Sequence, residues 1–238
     1  MSITAKGARI GILCWEAGQA PRGLEQLETL KGNSTNPETY DFPVMFCRVK
    51  GANVHTILEA PSREVMARMI EEAQKMAAEG VKAITTSCGF NAIFQKELAD
   101  ALDVPVFTSS LLQVPMVHHI LGRNKHIGVI TAKKAALRNE HLEAVGITPE
   151  MPVEIFGMEE CPEWNKIFIA PDEDVDLEVI RSEVVSTALK AVSENPKIGA
   201  FVLECTDLPP FAEPIRAATG RPVFDFVSLV NYINKAIP

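Results

Sequence analysis

The sequence lacks the patterns that identify several common classes of protein. No eighteen apolar residues follow one another, and the short apolar run Ile10–Trp15 leads directly into Glu16, so we expect neither a membrane span nor a secretory signal. The 31 acidic residues outnumber the 23 basic ones, giving a formal charge of −8 that disfavours binding to nucleic acid or to an acidic membrane. We therefore predict a cytoplasmic protein whose partners are small molecules.

Signatures of cofactor and metal sites are equally scarce. The glycines form neither a GxGxxG motif nor a P-loop, so we expect no dinucleotide and no nucleoside triphosphate. The five cysteines are scattered without a CxxC pair, which argues against a zinc ribbon and against a disulfide framework. His118 and His119 are adjacent rather than one helical turn apart, so they do not form a zinc-binding pair. We predict reduced thiols, no metal and no cofactor.

What the sequence does contain is an alternation of short apolar runs with longer segments of helical periodicity. With 47% hydrophobic residues, the 238-residue chain is able to build a sizeable core. The alternation is typical of parallel βα units and predicts an α/β fold. The irregular stretch Ala17–Tyr40 is predicted to be a long loop, of the kind that forms lids over active sites. The predicted strands are Arg9–Trp15, Phe42–Val49, Val81–Ser87, Val104–Thr108, Lys125–Thr131, Val153–Phe156, Gly199–Glu204 and Pro222–Phe226, and the predicted helices are Ser62–Glu79, Asn91–Leu102, Ser110–Leu121, Ala135–Val145 and Asp176–Val192.

An internal repeat with an offset of 117 residues relates the two halves of the chain. It aligns Ile10-Gly11 with Ile127-Gly128, Ala83 with Ala200, Cys88 with Cys205, Phe94 with Phe211 and Pro105-Val106-Phe107 with Pro222-Val223-Phe224. One register shared by several strands indicates duplication, and it predicts two pseudosymmetric Rossmann-like parallel-sheet domains with the active site in the cleft between them. We assign residues 1–114 and a returning C-terminal helix at 225–238 to the first domain, and residues 115–224 to the second.

The duplication makes Cys88 and Cys205 equivalent, and each is predicted to end a strand and precede a helix. The positive end of a helix dipole favours a thiolate, so we expect both pKa values to be lowered. Two such thiols on opposite sides of a cleft suit proton transfer at a carbon atom held between them. Asp207 is predicted to relay a proton in this reaction, although it also suits the role of a helix cap.

Polar groups at the same strand ends are predicted to bind the carboxylate of the substrate. Ser87 and Thr206 flank the thiols and are the first choices, together with the N–H group of Gly89. Cys14 and Thr131 are equivalent in the repeat, so the end of the first strand is predicted to lie at the mouth of the cleft. Cys14, Thr131 and the nearby Glu16 are therefore further candidates for binding the substrate. Ser109 is also a candidate for binding the substrate. The alternatives are that Glu16 is a solvated loop carboxylate and that Ser109 caps a helix.

The motifs Ser87-Cys88-Gly89-Phe90 and Glu204-Cys205-Thr206-Asp207, half a chain apart on duplicated units, resemble those of the aspartate/glutamate racemase superfamily. Cys205-Thr206-Asp207 is similar to the Cys-Thr-Glu of aspartate racemases, whereas Cys88-Gly89-Phe90 departs from the usual Cys-Asn-Thr. The resemblance implies a racemase or epimerase without a cofactor, acting on a small amino acid or a hydantoin-type cyclic amide through the two cysteines, and a possible homodimer. The alternatives are a maleate-type cis-trans isomerase with a nucleophilic cysteine and a non-catalytic two-lobed binding protein.

Overall fold

The computed structural model describes residues 7–122 and 124–238, so residues 1–6 of the first predicted domain and Arg123 of the second lie outside the description. Its strands are largely buried apolar runs, as expected for parallel sheets covered on both faces. The strands are β1 (Ile10–Cys14), β2 (Val44–Arg48), β3 (Ala83–Thr86), β4 (Val106–Phe107), β5 (His126–Thr131), β6 (Val153–Gly157), β7 (Ile198–Leu203) and β8 (Val223–Phe224).

These strands form two parallel sheets with the same topology, in the orders β2-β1-β3-β4 and β6-β5-β7-β8. In the first sheet Ile10 lies opposite Ala83, and in the second Ile127 lies opposite Ala200, so the 117-residue offset is reproduced in the strand register. The predicted α/β class and the duplication are therefore confirmed. Parallel strands end at one edge of each sheet, and this edge carries the residues discussed below.

Helices cover both sheets, and side-chain caps fix where several of them begin. Ser62 accepts a hydrogen bond from the Val65 N–H, and Asp176 accepts from the N–H groups of Glu178 and Val179. The helices are α1 (Arg22–Leu27), α2 (Arg63–Ala78), α3 (Gln95–Asp100), α4 (Gln113–Leu121), α5 (Asn139–Ala144), α6 (Pro162–Ile169), α7 (Leu177–Glu194), α8 (Ala212–Thr219) and α9 (Phe226–Ala236).

Several predicted helices differ from the observed ones at their beginnings. The predicted helices Asn91–Leu102 and Ser110–Leu121 each open with a 3-10 turn, at Gly89–Phe94 and Ser110–Leu112, before α3 and α4 start. The predicted loop Ala17–Tyr40 contains α1, and α6 was not predicted, because both helices are too short for their apolar periodicity to stand out. The segment Ala135–Val145 contains only the short helix α5 after a 3-10 turn.

The repeat breaks down at the second strand of each half. The shared offset would place the equivalent of Val44 at position 161, eight residues later than Val153, where β6 begins. The connection between the first two strands is thus longer in the first half than in the second. This longer connection contains α1 and the residues that reach the second half of the molecule.

The last helix, α9, returns to the first sheet. Phe226 and Val230 pack into a core cluster with Ile10 and Ile12 of β1. The Arg9 guanidinium fixes the end of the helix by donating hydrogen bonds to backbone and side-chain oxygens of Asn234 and to the backbone oxygen of Ile237. Across the described ranges, no helix is both long and apolar enough to span a bilayer.

We predict that Phe226→Ala lowers the free energy of unfolding by about 3 to 5 kcal/mol, because a ring that is 1% exposed is replaced by a cavity. Urea denaturation measures the change. Tyr232→Ala is the matched control, since this side chain of the same helix is 64% exposed and its loss is expected to cost about 0.5 kcal/mol or less. Equal costs for the two variants would show that α9 does not anchor the first sheet through Phe226.

Candidate active site

A cavity lies where the carboxyl ends of β1, β3, β5 and β7 converge between the two sheets. Residues just beyond the ends of these four strands line it: Trp15 after β1, Ser87 and Cys88 after β3, Ala132 after β5, and Cys205, two residues beyond the end of β7. The other residues of the lining come from the neighbouring loops and helices and are Ala20, Leu24, Glu28, Thr35, Leu58, Gly89, Phe90, Phe168, Thr206 and Asp207. Both halves of the chain thus contribute to one cavity, as the duplication predicts.

The cavity is small and partly enclosed. Its free volume is about 40 Å³, whereas one water molecule needs roughly 10 to 15 Å³ in the same measure. The aromatic side chains of Trp15, Phe90 and Phe168 form much of its wall. The cavity therefore suits a small ligand.

Cys88 is 8% exposed, and both hydrogen-bond donors and acidic side chains lie close to its thiol. The backbone N–H of Phe90 and the indole of Trp15 favour its thiolate, and the Trp15 Nε1 is otherwise buried without a nitrogen or oxygen partner in the described structure. Burial, Glu204 and Asp207 act in the opposite direction and together outweigh these donors. The net effect raises the pKa of the Cys88 thiol well above its ordinary value.

Cys205 is 7% exposed and has a carboxyl group as its direct partner. Its Sγ donates a hydrogen bond to Oδ2 of Asp207 at 3.5 Å. Burial, and then the charges of Asp207 and Glu204, raise the pKa of the Cys205 thiol well above its ordinary value. The expected lowering of both thiol pKa values is therefore wrong, because each thiol is desolvated among acids and is followed by a 3-10 turn rather than by an α-helix.

Asp207 is held by a residue from the other half of the chain. The Asn33 side-chain amide donates a 2.7 Å hydrogen bond to Oδ1 of Asp207, and the Ser34 N–H donates to the backbone oxygen of Thr206. Burial raises the pKa of Asp207 to about 6, and the bond from Asn33 opposes this shift. Asp207 does not cap the turn that follows, which begins after Leu208. Its carboxyl instead joins the Cys205 thiol to the loop of the first half.

The structure brings together six of the ten residues predicted for the site. Cys88, Cys205 and Asp207 line the cavity with Ser87, Gly89 and Thr206. The Thr206 hydroxyl donates to the backbone oxygen of Ser87 at 2.6 Å, and this bond ties the two cysteine-bearing strand ends together.

The other four predicted residues lie outside the cavity lining, and each has a partner elsewhere. Cys14 faces the core of the first sheet, where burial raises the pKa of its thiol to about 12, and Glu16 accepts from the Gly51 N–H in a loop. Thr131 donates to Oε2 of Glu204, and Ser109 caps a 3-10 turn by accepting from the Leu111 N–H. Strand alternation and local capping explain these placements, since side chains at successive positions of a strand point to opposite faces.

Sequence reasoning missed the cavity residues that come from the longer connection in the first half. Asn33 belongs to a segment Asn33-Ser34-Thr35 that has the form of a glycosylation sequon and was not connected with the site. Glu28 and Thr35 line the cavity although no motif distinguishes them. The loop between β1 and β2 is longer than the equivalent loop between β5 and β6. This extra length is the signal that could have assigned these particular residues to the site.

Metal binding finds no support in the geometry. No group of three or more histidine, cysteine, aspartate or glutamate side chains is positioned to hold a metal ion within residues 7–122 and 124–238.

Comparison with curated proteins identifies relatives of known activity. The chain is 30% identical over 204 residues to the "Dimethylsulfoniopropionate lyase" of Durusdinium sp. clade D, a match that covers 83% of this chain and 67% of that protein. It is 31% identical over 216 residues to "Dimethylsulfoniopropionate lyase 7" of Emiliania huxleyi, covering 87% of this chain and 62% of the relative. The chain thus spans about two thirds of the length of these relatives. No family model matches the chain.

Comparison with solved structures identifies the fold. Allantoin racemase from Klebsiella pneumoniae superimposes with a TM-score of 0.65 at 14% identity, over 97% of this chain and 87% of that one. Unliganded arylmalonate decarboxylase gives a TM-score of 0.57 at 14% identity, over 96% and 92% of the two chains. The fold is that of the aspartate/glutamate/hydantoin racemase superfamily, which confirms the resemblance drawn from the two cysteine motifs.

We predict that Asn33→Ala raises the pKa of Asp207 above its value of about 6, because the charged carboxylate loses its strongest neutral donor. The carboxyl resonance of Asp207, followed by NMR across pH 4 to 9, measures this shift. Asn36→Ala serves as the control, since Asn36 lies in the same loop and bonds to Thr29 and Glu38 instead. An unchanged Asp207 titration in Asn33→Ala would refute the role given to this bond.

Proposed function

Because the chain belongs to the family of the dimethylsulfoniopropionate lyases, we propose that it is a lyase that removes an α-proton from a short carboxylate and expels a group from the β-carbon. The substrate class proposed is a propionate with a β-sulfonium group. Dimethylsulfoniopropionate, a propionate whose β-carbon carries a positively charged dimethylsulfonium group, is its simplest member.

The sequence prediction of a racemase, and with it the assignment to the isomerases, is wrong. The named relatives match more than four fifths of the chain and are lyases. The alternatives considered with the racemase, a maleate-type isomerase and a non-catalytic binding protein, fall with it. The error has a chemical reason: racemases and eliminating lyases both begin by removing a proton next to a carboxylate, and the two cysteine motifs report only that step.

One observation carries the proposal: a thiol hydrogen-bonded to a carboxyl group faces a small cavity that a second thiol also faces. Cys205 donates to Asp207, and Cys88 contributes to the same lining. With a pKa of about 6, Asp207 is ionised at neutral pH and is placed to accept the Cys205 proton. We assign the general base to Cys205 for this reason.

The reaction then balances without any other reactant. The Cys205 thiolate takes the α-proton, the electrons of the broken C–H bond form the carbon–carbon double bond, and the β-carbon–sulfur bond breaks with its electron pair going to sulfur. The products are a neutral sulfide, an unsaturated carboxylate and a protonated Cys205. Asp207 still holds the proton that Cys205 gave up before this step, and it releases that proton to solvent, so each turnover frees one proton. Asp207 can then accept the new Cys205 proton before the next turnover. Cys88 is proposed to remain a thiol on its own wall of the cavity, beside the developing enolate.

Groups at the strand ends suit the substrate carboxylate. Ser87, Gly89 and Thr206 line the cavity on either side of the two thiols. The Thr206 hydroxyl proton is already donated to the Ser87 backbone oxygen, so the Ser87 hydroxyl and the N–H groups of this lining are the donors proposed to stabilise the negative charge that spreads onto the carboxylate as the proton leaves. A substrate held there has its α-carbon near the thiols.

The remaining wall suits a cation. Trp15, Phe90 and Phe168 offer aromatic faces, and Glu28 offers a carboxylate, whereas none of the described lining residues is lysine or arginine. Cations bind over aromatic rings and next to carboxylates, so a sulfonium group fits this part of the cavity. The combination supports a zwitterionic substrate over a simple dicarboxylate.

We predict that Cys205→Ser lowers kcat by about 10² to 10⁴, the usual contribution of a general base, while Cys88→Ser lowers it less. Gas chromatography of the dimethyl sulfide released from dimethylsulfoniopropionate measures the rate. Cys161→Ser is the control, because Cys161 lies outside the cavity and bonds to Thr187. Wild-type rates in both Cys205→Ser and Cys88→Ser would contradict the proposed chemistry.

We predict that Glu28→Gln raises KM for dimethylsulfoniopropionate about fivefold, equivalent to about 1 kcal/mol, with kcat changed less than KM. The variant loses a negative charge from the cavity wall and also leaves the Arg48 guanidinium, which pairs with Glu28 at 3.6 Å, without its partner. Glu25→Gln is the control, since Glu25 lies in α1 just before Glu28, pairs with Arg22 and is outside the cavity lining. A KM that rises equally in both variants, or in neither, would reject the cation-binding wall.

A further inference from the structure

Glu204 is a buried carboxyl group that the proposed reaction does not use. It directly precedes Cys205 at the end of β7, is 0% exposed and lies outside the cavity lining. An ionised carboxylate in such a position needs strong compensation, and otherwise the group keeps its proton. Its surroundings decide which of these holds.

The hydrogen bonds of Glu204 are incomplete. Oε2 accepts from the Thr131 hydroxyl at 2.6 Å, while Oε1 is buried with no partner in the part of the chain that the structure describes. A single hydroxyl donor is too little to solvate a buried charge. The carboxyl is therefore in the neutral form at moderate pH.

The same carboxyl occupies the space beside the first cysteine motif. A β-carbon on Gly89 would overlap both Oε1 and the backbone oxygen of Glu204. The residue after Cys88 is a glycine because the Glu204 side chain takes up this volume. The carboxyl thus lies against the Cys88–Gly89 turn while its backbone continues into Cys205, so it adjoins both thiols.

Within the described residues, the ionisable groups that interact electrostatically with Glu204 are acids. The charge of Asp207 raises the pKa of Glu204, and the charge of Glu204 raises the pKa values of Cys88 and Cys205. The charge of Glu28 in turn raises the pKa of Asp207. His141, which lies edge-on to Phe90 on the far side of the turn, has a pKa lowered to about 4 by burial and is neutral. Burial raises the pKa of Glu204 to about 8, and an ionised Glu204 raises the pKa of both thiols.

We propose that Glu204 is a positioning residue of the thiol pair: its protonated carboxyl, packed between the Cys88–Gly89 turn and Cys205, lets a thiolate form beside it, and its ionisation suppresses that thiolate. The inference rests on the proposed function only in taking the two thiols as the reacting groups. It implies that the site is active while the Glu204 carboxyl keeps its proton.

The test is the titration of the two thiols in Glu204→Gln, which keeps the shape and the neutrality of the protonated carboxyl. Alkylation by iodoacetamide is measured from pH 6 to 10 without substrate, and mass spectrometry quantifies Cys88 and Cys205 separately. We expect alkylation of these two residues at pH 9 to be at least threefold faster in the variant, because no charge develops at position 204. Glu159→Gln is the matched control, since Glu159 also packs its carboxyl over a glycine, Gly157, but outside the cavity lining.

A second measurement separates this role from a packing role. The folded protein holds the Glu204 proton up to about pH 8, whereas an unfolded chain releases it near pH 4.5, so folding binds an extra proton in this range. The wild-type protein should therefore lose stability between pH 6.5 and 8.5, above the range of Asp207, and Glu204→Gln should lose less. Identical thiol titrations and identical pH dependence in the two proteins would overturn the inference.

The wild-type protein decides the question if the variant does not fold. A Glu204 carboxyl resonance that titrates near pH 8 supports the inference, and one that titrates near pH 4.5 overturns it. The outcome is independent of the proposed function, because a protein that releases no dimethyl sulfide can still show the faster thiol alkylation in Glu204→Gln. The proposed function fails in that case and the inference stands.

Discussion

The burial of acids at the meeting edges of the two sheets is the constraint on which the site depends. Two thiols and the carboxyls of Glu204 and Asp207 are enclosed together there, and mutual repulsion prevents all four from being ionised at once. Their protonation states are therefore coupled. Asp207 combines a pKa raised to about 6 with a direct hydrogen bond to a thiol, and for this reason Cys205 is the thiol that we propose is deprotonated.

Duplication supplies the pair of thiols, and departures from it make them different. Cys205 has Asp207 two residues later, whereas the equivalent place after Cys88 is occupied by Phe90. The longer connection of the first half delivers Asn33 to Asp207 and has no counterpart of equal length in the second half. A symmetric pair is suited to moving a proton from one face of a carbon to the other. An asymmetric pair is suited to a reaction that needs one base.

The fold therefore does not determine the reaction. Allantoin racemase and arylmalonate decarboxylase share it with this chain, and the curated relatives are lyases. Racemisation, decarboxylation and elimination have in common a negative charge that develops next to a carbonyl or carboxylate group. The leaving group on the substrate and the residues that recognise it decide what happens next.

The α/β class, the doubling and the two cysteines could be predicted from the sequence, because buried parallel strands and an internal repeat leave direct traces in the order of residues. The 117-residue offset identified Cys88 and Cys205 without any coordinates. The neighbours of those thiols became known only from the folded chain. Asn33 reaches Asp207 across 174 positions, and Glu204 fills the space above Gly89 across 115, and neither pairing follows from local periodicity or from a motif. Burial then reverses the expected direction of both thiol pKa values, since desolvation depends on everything packed around a group and not on its place in the chain.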